Sequence, residues 1–193
     1  MTPAERTLSN SHHGGVLWLT GLSGSGKSTL AMAFQRNLFE QGRQVYVLDG
    51  DNVRQGLNKD LGFSPEARTE NIRRIAEVAR LFADAGFLVV AAFISPYRED
   101  RDNARALVGE AFLEVYVRAD LSVCERRDPK GLYVRARSGD IPEFTGISAP
   151  YEEPVSPDLV VDTGALSVDA ALHALIERIE VDFMPPVLSN AAG

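Results

Sequence analysis

The chain has 193 residues, 45% hydrophobic and 24% charged, with a formal net charge of −7. That length is most simply one domain able to bury a core, and the negative balance argues against a nucleic-acid backbone as the main partner. A single cysteine, Cys124, excludes an internal disulfide framework and suits a cytoplasmic setting; no stretch approaches the ~20 apolar residues of a membrane span, and the N-terminus lacks the apolar segment of a secretory signal.

Residues 1–14 are polar, end in His12-His13-Gly14 and read as a loosely ordered lead-in. The two histidines read as solvated side chains, because a closed metal site takes three or four ligands. The apolar run Val16-Leu-Trp-Leu-Thr20 predicts a strand. Gly21-Leu22-Ser23-Gly24-Ser25-Gly26-Lys27-Ser28-Thr29 follows and fits G-x-x-x-x-G-K-[ST] at every fixed position. A helix-compatible stretch over residues 30–38 completes the strand–loop–helix setting that this motif needs. The glycines let the backbone wrap round phosphate oxygens, and the helix N-terminus turns positive dipole toward them. In such a loop Lys27 reaches the β- and γ-phosphates and the Ser28 hydroxyl ligates Mg²⁺.

Residues 44–48 predict a second strand, ending in Asp49-Gly50-Asp51. A long helix is expected over 66–86, with Ile72, Ile75, Val78, Ala79 and Phe82 on one stripe and Gly86 at its C-terminal cap. Then come strand 87–93, a polar-rich helix 98–108, strand 112–117, a short helix 121–126, strand 159–161 and helix 168–179. Five largely apolar strands separated by helices mean an α/β fold: a five-stranded parallel sheet covered on both faces. Ligands then bind beyond the C-terminal strand ends.

Residues 128–157 break the alternation. They are rich in proline and glycine and carry Lys130, Arg135 and Arg137. A loop this long in a compact domain reads as a lid, which in phosphoryl transfer excludes water from the activated phosphate. The domain is thus expected over 15–181, with 182–193 as a terminal extension.

Several side chains beyond the P-loop suit phosphoryl transfer. Asp49 and Asp51 stand at a strand end, where a carboxylate holds a metal-bound water or accepts a substrate proton; Asp-Gly-Asp also suits a plain turn. Arg54 and Arg68, with Asn71, suit a second anionic ligand, since the guanidinium fork matches phosphate or sulfate; each alone also reads as a solvated charge. Phe63 and Phe144 suit stacking on a purine or burial in the core. Asn58-Lys59-Asp60 is similar to a guanine-reading motif, but Leu61 occupies the position that needs an acid. Cys124, without a partner, reads as structural. On these residues alone a kinase of some other small metabolite, or a nucleotide-dependent switch, stays open.

Taken together the motifs resemble one family, the adenylylsulfate (APS) kinases. The segments that carry the resemblance are Gly21–Thr29 of the P-loop, Leu48-Asp-Gly-Asp-Asn-Val-Arg-Gln-Gly-Leu-Asn58, Leu61-Gly-Phe-Ser64 and Asn71-Ile-Arg-Arg-Ile75. They continue with Phe93-Ile-Ser-Pro-Tyr-Arg98, Asp128-Pro-Lys-Gly-Leu-Tyr133 and Phe144-Thr-Gly146, in order over residues 14–180. The resemblance implies a P-loop kinase that transfers the γ-phosphate of MgATP to the 3′-hydroxyl of adenosine 5′-phosphosulfate (APS). The products are 3′-phosphoadenylyl sulfate (PAPS) and ADP, in sulfate assimilation. It implies that residues 21–29 hold ATP, with Ser28 and Asp49 toward the metal. Asp51 would orient or deprotonate the 3′-hydroxyl, and Lys130 would meet the transferring phosphate beside Lys27. Arg54, Arg68 and Asn71 would hold the phosphosulfate and ribose, with Phe63 and Phe144 round the adenine and Ile94 and Ser95 lining the pocket. Ser95 matches the serine often described in the family as a phosphorylated intermediate. In-line transfer needs no covalent relay and no base is dedicated to this hydroxyl, so a substrate-binding role is the expectation. Relatives carry lysines where this lid has Val134-Arg135-Ala136-Arg137, and they are commonly homodimers.

Overall fold

A computed structural model describes residues 2–184, apart from the side chain of Asp51. Five parallel strands form one sheet in the order β2-β3-β1-β4-β5: β1 Gly15–Thr20, β2 Val45–Asp49, β3 Leu88–Ala92, β4 Phe112–Arg118 and β5 Leu159–Asp162. The helices are α1 Pro3–Asn10, α2 Lys27–Glu40, α3 Gly50–Gln55, α4 Pro65–Asp84, α5 Arg98–Val108, α6 Leu121–Arg127, α7 Leu132–Arg137 and α8 Val168–Asp182.

β1 lies at the centre and is buried throughout, so its side chains divide between two cores by the strand period of two. Leu17 and Leu19 pack with Leu30 and Phe34 of α2 and Leu175 and Ile179 of α8. Val16 and Trp18 pack on the other face with Ile72, Ile75 and Ala79 of α4 and Ala104 of α5. The expected parallel sheet with helices on both faces is the observed one. The chain crosses from one side of β1 to the other between β3 and β4, which opens a crevice at the C-terminal end of β1.

α4 begins where its caps dictate. Ser64 accepts a hydrogen bond from the Ala67 amide, Pro65 occupies the first turn and Glu66 meets the positive end of the dipole.

Three short helices were not expected from the sequence. The lead-in is α1, whose N-terminus carries a capping box between Thr2 and Glu5. Arg6 donates to the Ala85 carbonyl at 3.1 Å and Asn10 to the Gly86 carbonyl at 2.9 Å, so α1 covers the exposed carbonyls that end α4. His12 is fully buried rather than solvated: its Nε2 accepts from the Gln44 amide at 3.1 Å, so its Nδ1–H donates to the His13 carbonyl at 2.9 Å. α3 follows β2 directly, where the Asp-Gly-Asp turn was expected. α7 lies inside the predicted lid.

The lid segment folds back on the P-loop through an apolar cluster of Ala119, Cys124, Tyr133 and Phe144, joined by Leu22. Cys124 is buried in this cluster, as a structural reading requires. Pro185 and the residues after it, most of the expected terminal extension, lie outside the described residues.

Candidate active site

The P-loop is held by its carbonyls. Lys27 Nζ donates to the carbonyls of Gly21 at 2.9 Å and Leu22 at 2.7 Å. The Tyr133 hydroxyl donates to the Ser23 carbonyl at 2.8 Å, and Thr163 Oγ1 to the Ser25 carbonyl at 2.6 Å. Arg127 reaches the Gly24 carbonyl at 3.4 Å and the Thr163 carbonyl at 2.6 Å. Protein donors thus occupy the acceptors of the loop. Gly26 caps α2 without a side chain, which leaves the first amides of that helix for an anion. At Gly24, φ is +75° and a Cβ would stand 3.0 Å from the Cys124 carbonyl oxygen, so this turn needs a left-handed residue and a side chain would crowd that oxygen.

Lys27 is buried, and burial pushes its ammonium down to about 8; the Asp49 carboxylate opposes that shift and the Lys130 charge adds to it. The two lysines therefore sense one another across the crevice, an arrangement that an anion between them would relieve. Ser28 Oγ donates to Asp49 Oδ2 at 2.6 Å. A hydroxyl and a carboxylate at the foot of a phosphate cradle fit Mg²⁺, which takes few protein ligands beside phosphates and water. No cluster of three or more His, Cys, Asp or Glu side chains able to hold a metal occurs among the described residues.

A cavity of about 990 Å³ runs from this cradle under the lid. Ser23, Gly24 and Gly26–Thr29 line its donor end; Arg54, Phe63, Arg68, Asn71, Ile94, Ser95 and Phe144 line the other, and Asp49 and Lys130 belong to the same lining. Gly21, Leu22 and Ser25 are absent from the lining; the Ser25 amide donates to the Leu22 carbonyl at 3.1 Å within the loop. Asp51 falls within α3, and its side chain lies outside the described residues.

The acceptor end is built by contacts between remote segments. Arg68 Nε donates to the Phe63 carbonyl at 2.9 Å, its Nη1 to Thr145 Oγ1 at 2.6 Å, and its Nη2 to the Glu143 carbonyl. One guanidinium thus ties α4 to the lid. Arg54 lies over the Phe63 ring at 4.2 Å and donates to the Leu61 and Gly62 carbonyls. Burial, reinforced by the neighbouring Arg68 charge, holds the Arg54 guanidinium below its ordinary value, though still charged. Two cations so close favour an anionic ligand. Asn71 Oδ1 accepts from Asn58 Nδ2 at 2.9 Å. Phe63 is 63% exposed, whereas Phe144 is 8% exposed and packs edge-on against Tyr133. Of the lid arginines, Arg135 lines the cavity, while Arg137 turns away to pair with Glu125 at 2.6 Å.

Ser95 is buried, and its Oγ accepts from the Trp18 indole at 3.1 Å. Sequence reasoning missed Arg127, Tyr133 and Thr163. For Thr163 the available signal was its place just beyond the last predicted strand, where ligands bind in such sheets.

A phosphate cradle at a helix N-terminus, a lid lysine facing it and a second cationic pocket in the same cavity define a P-loop phosphotransferase. The adenylylsulphate kinase family model matches residues 13–162, and the chain belongs to that family. It is 63% identical to a probable adenylyl-sulfate kinase of Halalkalibacterium halodurans over 89% of this chain and 85% of that protein. It is 59% identical to an adenylyl-sulfate kinase of Bacillus velezensis over 93% and 92%. Among solved structures it resembles the Mycobacterium tuberculosis APS kinase in complex with AMPPNP and APS. The TM-score is 0.84 at 50% identity, covering 87% of this chain and 98% of that one. Among the described residues no helix is long and apolar enough to cross a membrane.

Proposed function

We infer that this chain is an adenylyl-sulfate kinase, transferring the γ-phosphate of ATP to the 3′-hydroxyl of adenosine 5′-phosphosulfate to give 3′-phosphoadenylyl sulfate and ADP. The observation that carries the reading is the continuous cavity that joins the P-loop to an Arg54–Arg68 pocket with aromatic walls, in a chain of this family.

Position in the cavity supports the following roles. The amides of Ser23, Gly24 and Gly26–Thr29, with the Lys27 ammonium, hold the ATP phosphates, while the Ser25 amide is taken by the Leu22 carbonyl at 3.1 Å. Ser28 would ligate Mg²⁺ and Asp49 would hold a bound water, and the ion would supply neutralisation of the phosphate charge. Lys27 and Lys130 approach the transferring phosphate from the cradle and the lid. Arg54 and Arg68 exchange backbone carbonyls for the stronger phosphosulfate acceptors, and Asn71 lies beside the ribose. Phe63 and Phe144 flank the acceptor adenine, with Ile94 and Ser95 on the wall. An indole N–H on Ser95 Oγ withdraws a lone pair from that oxygen, and its other hydrogen bond is 3.5 Å, to the Phe93 carbonyl. That setting suits a binding hydroxyl rather than an activated nucleophile.

Asp51 is assigned to the 3′-hydroxyl. The test is to incubate the pure protein with γ-labelled ATP, magnesium and APS: label must appear on APS, and its absence sinks the reading. Asp51→Asn should lower kcat while leaving the KM for APS within about threefold, the pattern of a group that acts in the transition state. A rise in KM at unchanged kcat would make Asp51 a binding residue.

A further inference from the structure

Arg101 lies on α5, outside the cavity lining, and is 2% exposed. Its guanidinium makes three short hydrogen bonds to three different parts of the chain. Nε donates to Glu114 Oε1 on β4 at 2.7 Å, Nη1 to the Ser95 carbonyl at 2.6 Å, and Nη2 to the Glu152 carbonyl at 2.7 Å. Ser95 forms the cavity wall and Glu152 lies near the end of the lid. One buried cation therefore joins the sheet, the wall and the lid.

Ser95 has φ of +41°, a left-handed backbone on a residue with a side chain. Such a conformation costs roughly 1–3 kcal/mol and persists only where surroundings hold it. Arg101 holds its carbonyl, Trp18 its hydroxyl, and Thr20 Oγ1 the preceding Ile94 carbonyl at 2.7 Å. The end of the lid is clamped to the same wall. The Glu152 amide donates to the Pro96 carbonyl at 2.8 Å. Glu152 Oε2 accepts from the Arg98 amide at 2.8 Å, and Arg98 Nε donates to the Glu153 carbonyl at 2.8 Å.

We propose that Arg101 is a positioning residue for the acceptor substrate: it sets the turn Ile94-Ser95-Pro96 and anchors the end of the lid against it. The proposal rests on the reading of this site as an APS kinase. Arg101 donates to no P-loop carbonyl; those acceptors belong to Lys27, Tyr133, Arg127 and Thr163. Its removal should therefore separate the two substrates.

Deleting Arg101 alone would strand the buried Glu114 carboxylate and risk the fold. The informative variant is R101M/E114M, which removes both charges at similar volume. Arg105, the other cation near Glu114 at 4.0 Å, keeps its own partner Asp158 at 2.5 Å. The double variant should fold, with KM for APS raised about tenfold or more and KM for ATP within about twofold. E114Q, which keeps both carbonyl bonds of Arg101, should leave KM for APS within about twofold of wild type. Amide hydrogen exchange in the folded double variant should rise over residues 94–98 and 151–153 and stay unchanged over 21–29. A folded double variant with wild-type KM for APS, or with both KM values raised alike, overturns the proposal. So does unchanged exchange at the wall and the lid end, a result independent of which acceptor the enzyme uses. Wild-type protein that leaves APS unphosphorylated instead refutes the functional reading. If the double variant does not fold, R101K carries the test: an ammonium can pair with Glu114 but lacks the planar fork for two carbonyls, so the same split is expected at smaller size.

Discussion

The phosphate cradle and the acceptor wall share a cavity but are built in opposite ways. The cradle is nine consecutive residues whose carbonyls are held by protein donors, so the amides at the start of α2 stand ready for a ligand. The acceptor wall draws on α3, α4, the segment after β3 and the lid, and its cations are already engaged by backbone oxygens. A nucleotide entering the cradle draws on helix amides and has to release the Lys27 bonds to the Gly21 and Leu22 carbonyls. An acceptor entering the other end must exchange protein–protein bonds for protein–ligand bonds, and that exchange costs part of the binding energy. Acceptor binding is thus expected to suffer from damage to the lid segment that Arg68 holds, and donor binding only from the loss of lid contacts to the P-loop itself.

The largest effect belongs to Lys27. Lys27→Ala should lower kcat by about 10²–10³, the loss expected when a preorganised charge facing the transition state is removed. Steady-state turnover with both substrates saturating checks it. Near-normal turnover would show that the cradle does not meet the transferred phosphate.

Arg68 tests the other side of the comparison. Arg68→Ala removes the ties to Phe63, Glu143 and Thr145 together with a cation from the acceptor end. KM for APS should rise about tenfold with KM for ATP little changed, and limited proteolysis within 138–148 should quicken. Equal changes in both KM values would mean that cradle and wall are one mechanical unit.

The contrast also explains what was legible in the sequence. The cradle could be read almost whole, because one contiguous motif states its geometry and its chemistry. The five strands and the long helices were legible from their apolar periodicity. The short helices α1, α3 and α7 were not, since six to eight residues carry too little period and α1 is stabilised by carbonyls of α4 that are distant in sequence. His12 looked solvated for the same reason: its partner, the Gln44 amide, lies on the approach to β2. The residues Arg54, Phe63, Arg68 and Asn71 each suited a ligand or a plain structural role, and only the family resemblance assigned them to one acceptor pocket. Nothing local distinguishes Arg68, which bridges to the lid, from Arg73, which pairs with Glu70 on the surface of the same helix.

Tyr133 sharpens the comparison, because it is a lid residue that serves the cradle. Its hydroxyl bond to the Ser23 carbonyl couples α7 to the P-loop, while its ring supports Phe144. Tyr133→Phe keeps the ring and removes one hydrogen bond, worth about 0.5–1.5 kcal/mol. KM for ATP should rise about two- to fivefold with KM for APS almost constant. The reverse pattern would show that this tyrosine acts mainly through Phe144.

The smallest expected effect comes from the proton on Lys27. Burial lowers its folded value to about 8, below the unfolded value of 10.5. The unfolded chain therefore binds more protons between those values, and this group makes the fold more stable as pH rises through that window. Nucleotide binding has the opposite sign. Phosphate anions favour the ammonium, so the free protein must take up a proton to bind once Lys27 has begun to lose it. At pH 8 about half the molecules need that proton, so the apparent ATP affinity should fall only about twofold relative to pH 7 and more steeply beyond it. Calorimetry in two buffers of different ionisation enthalpy at pH 8 should record uptake of about half a proton per nucleotide, with less at pH 7. Phosphate ionisation is largely complete in this range and does not mimic the signal. Uptake that persists unchanged in Lys27→Met would place the proton elsewhere and leave the cradle lysine charged throughout.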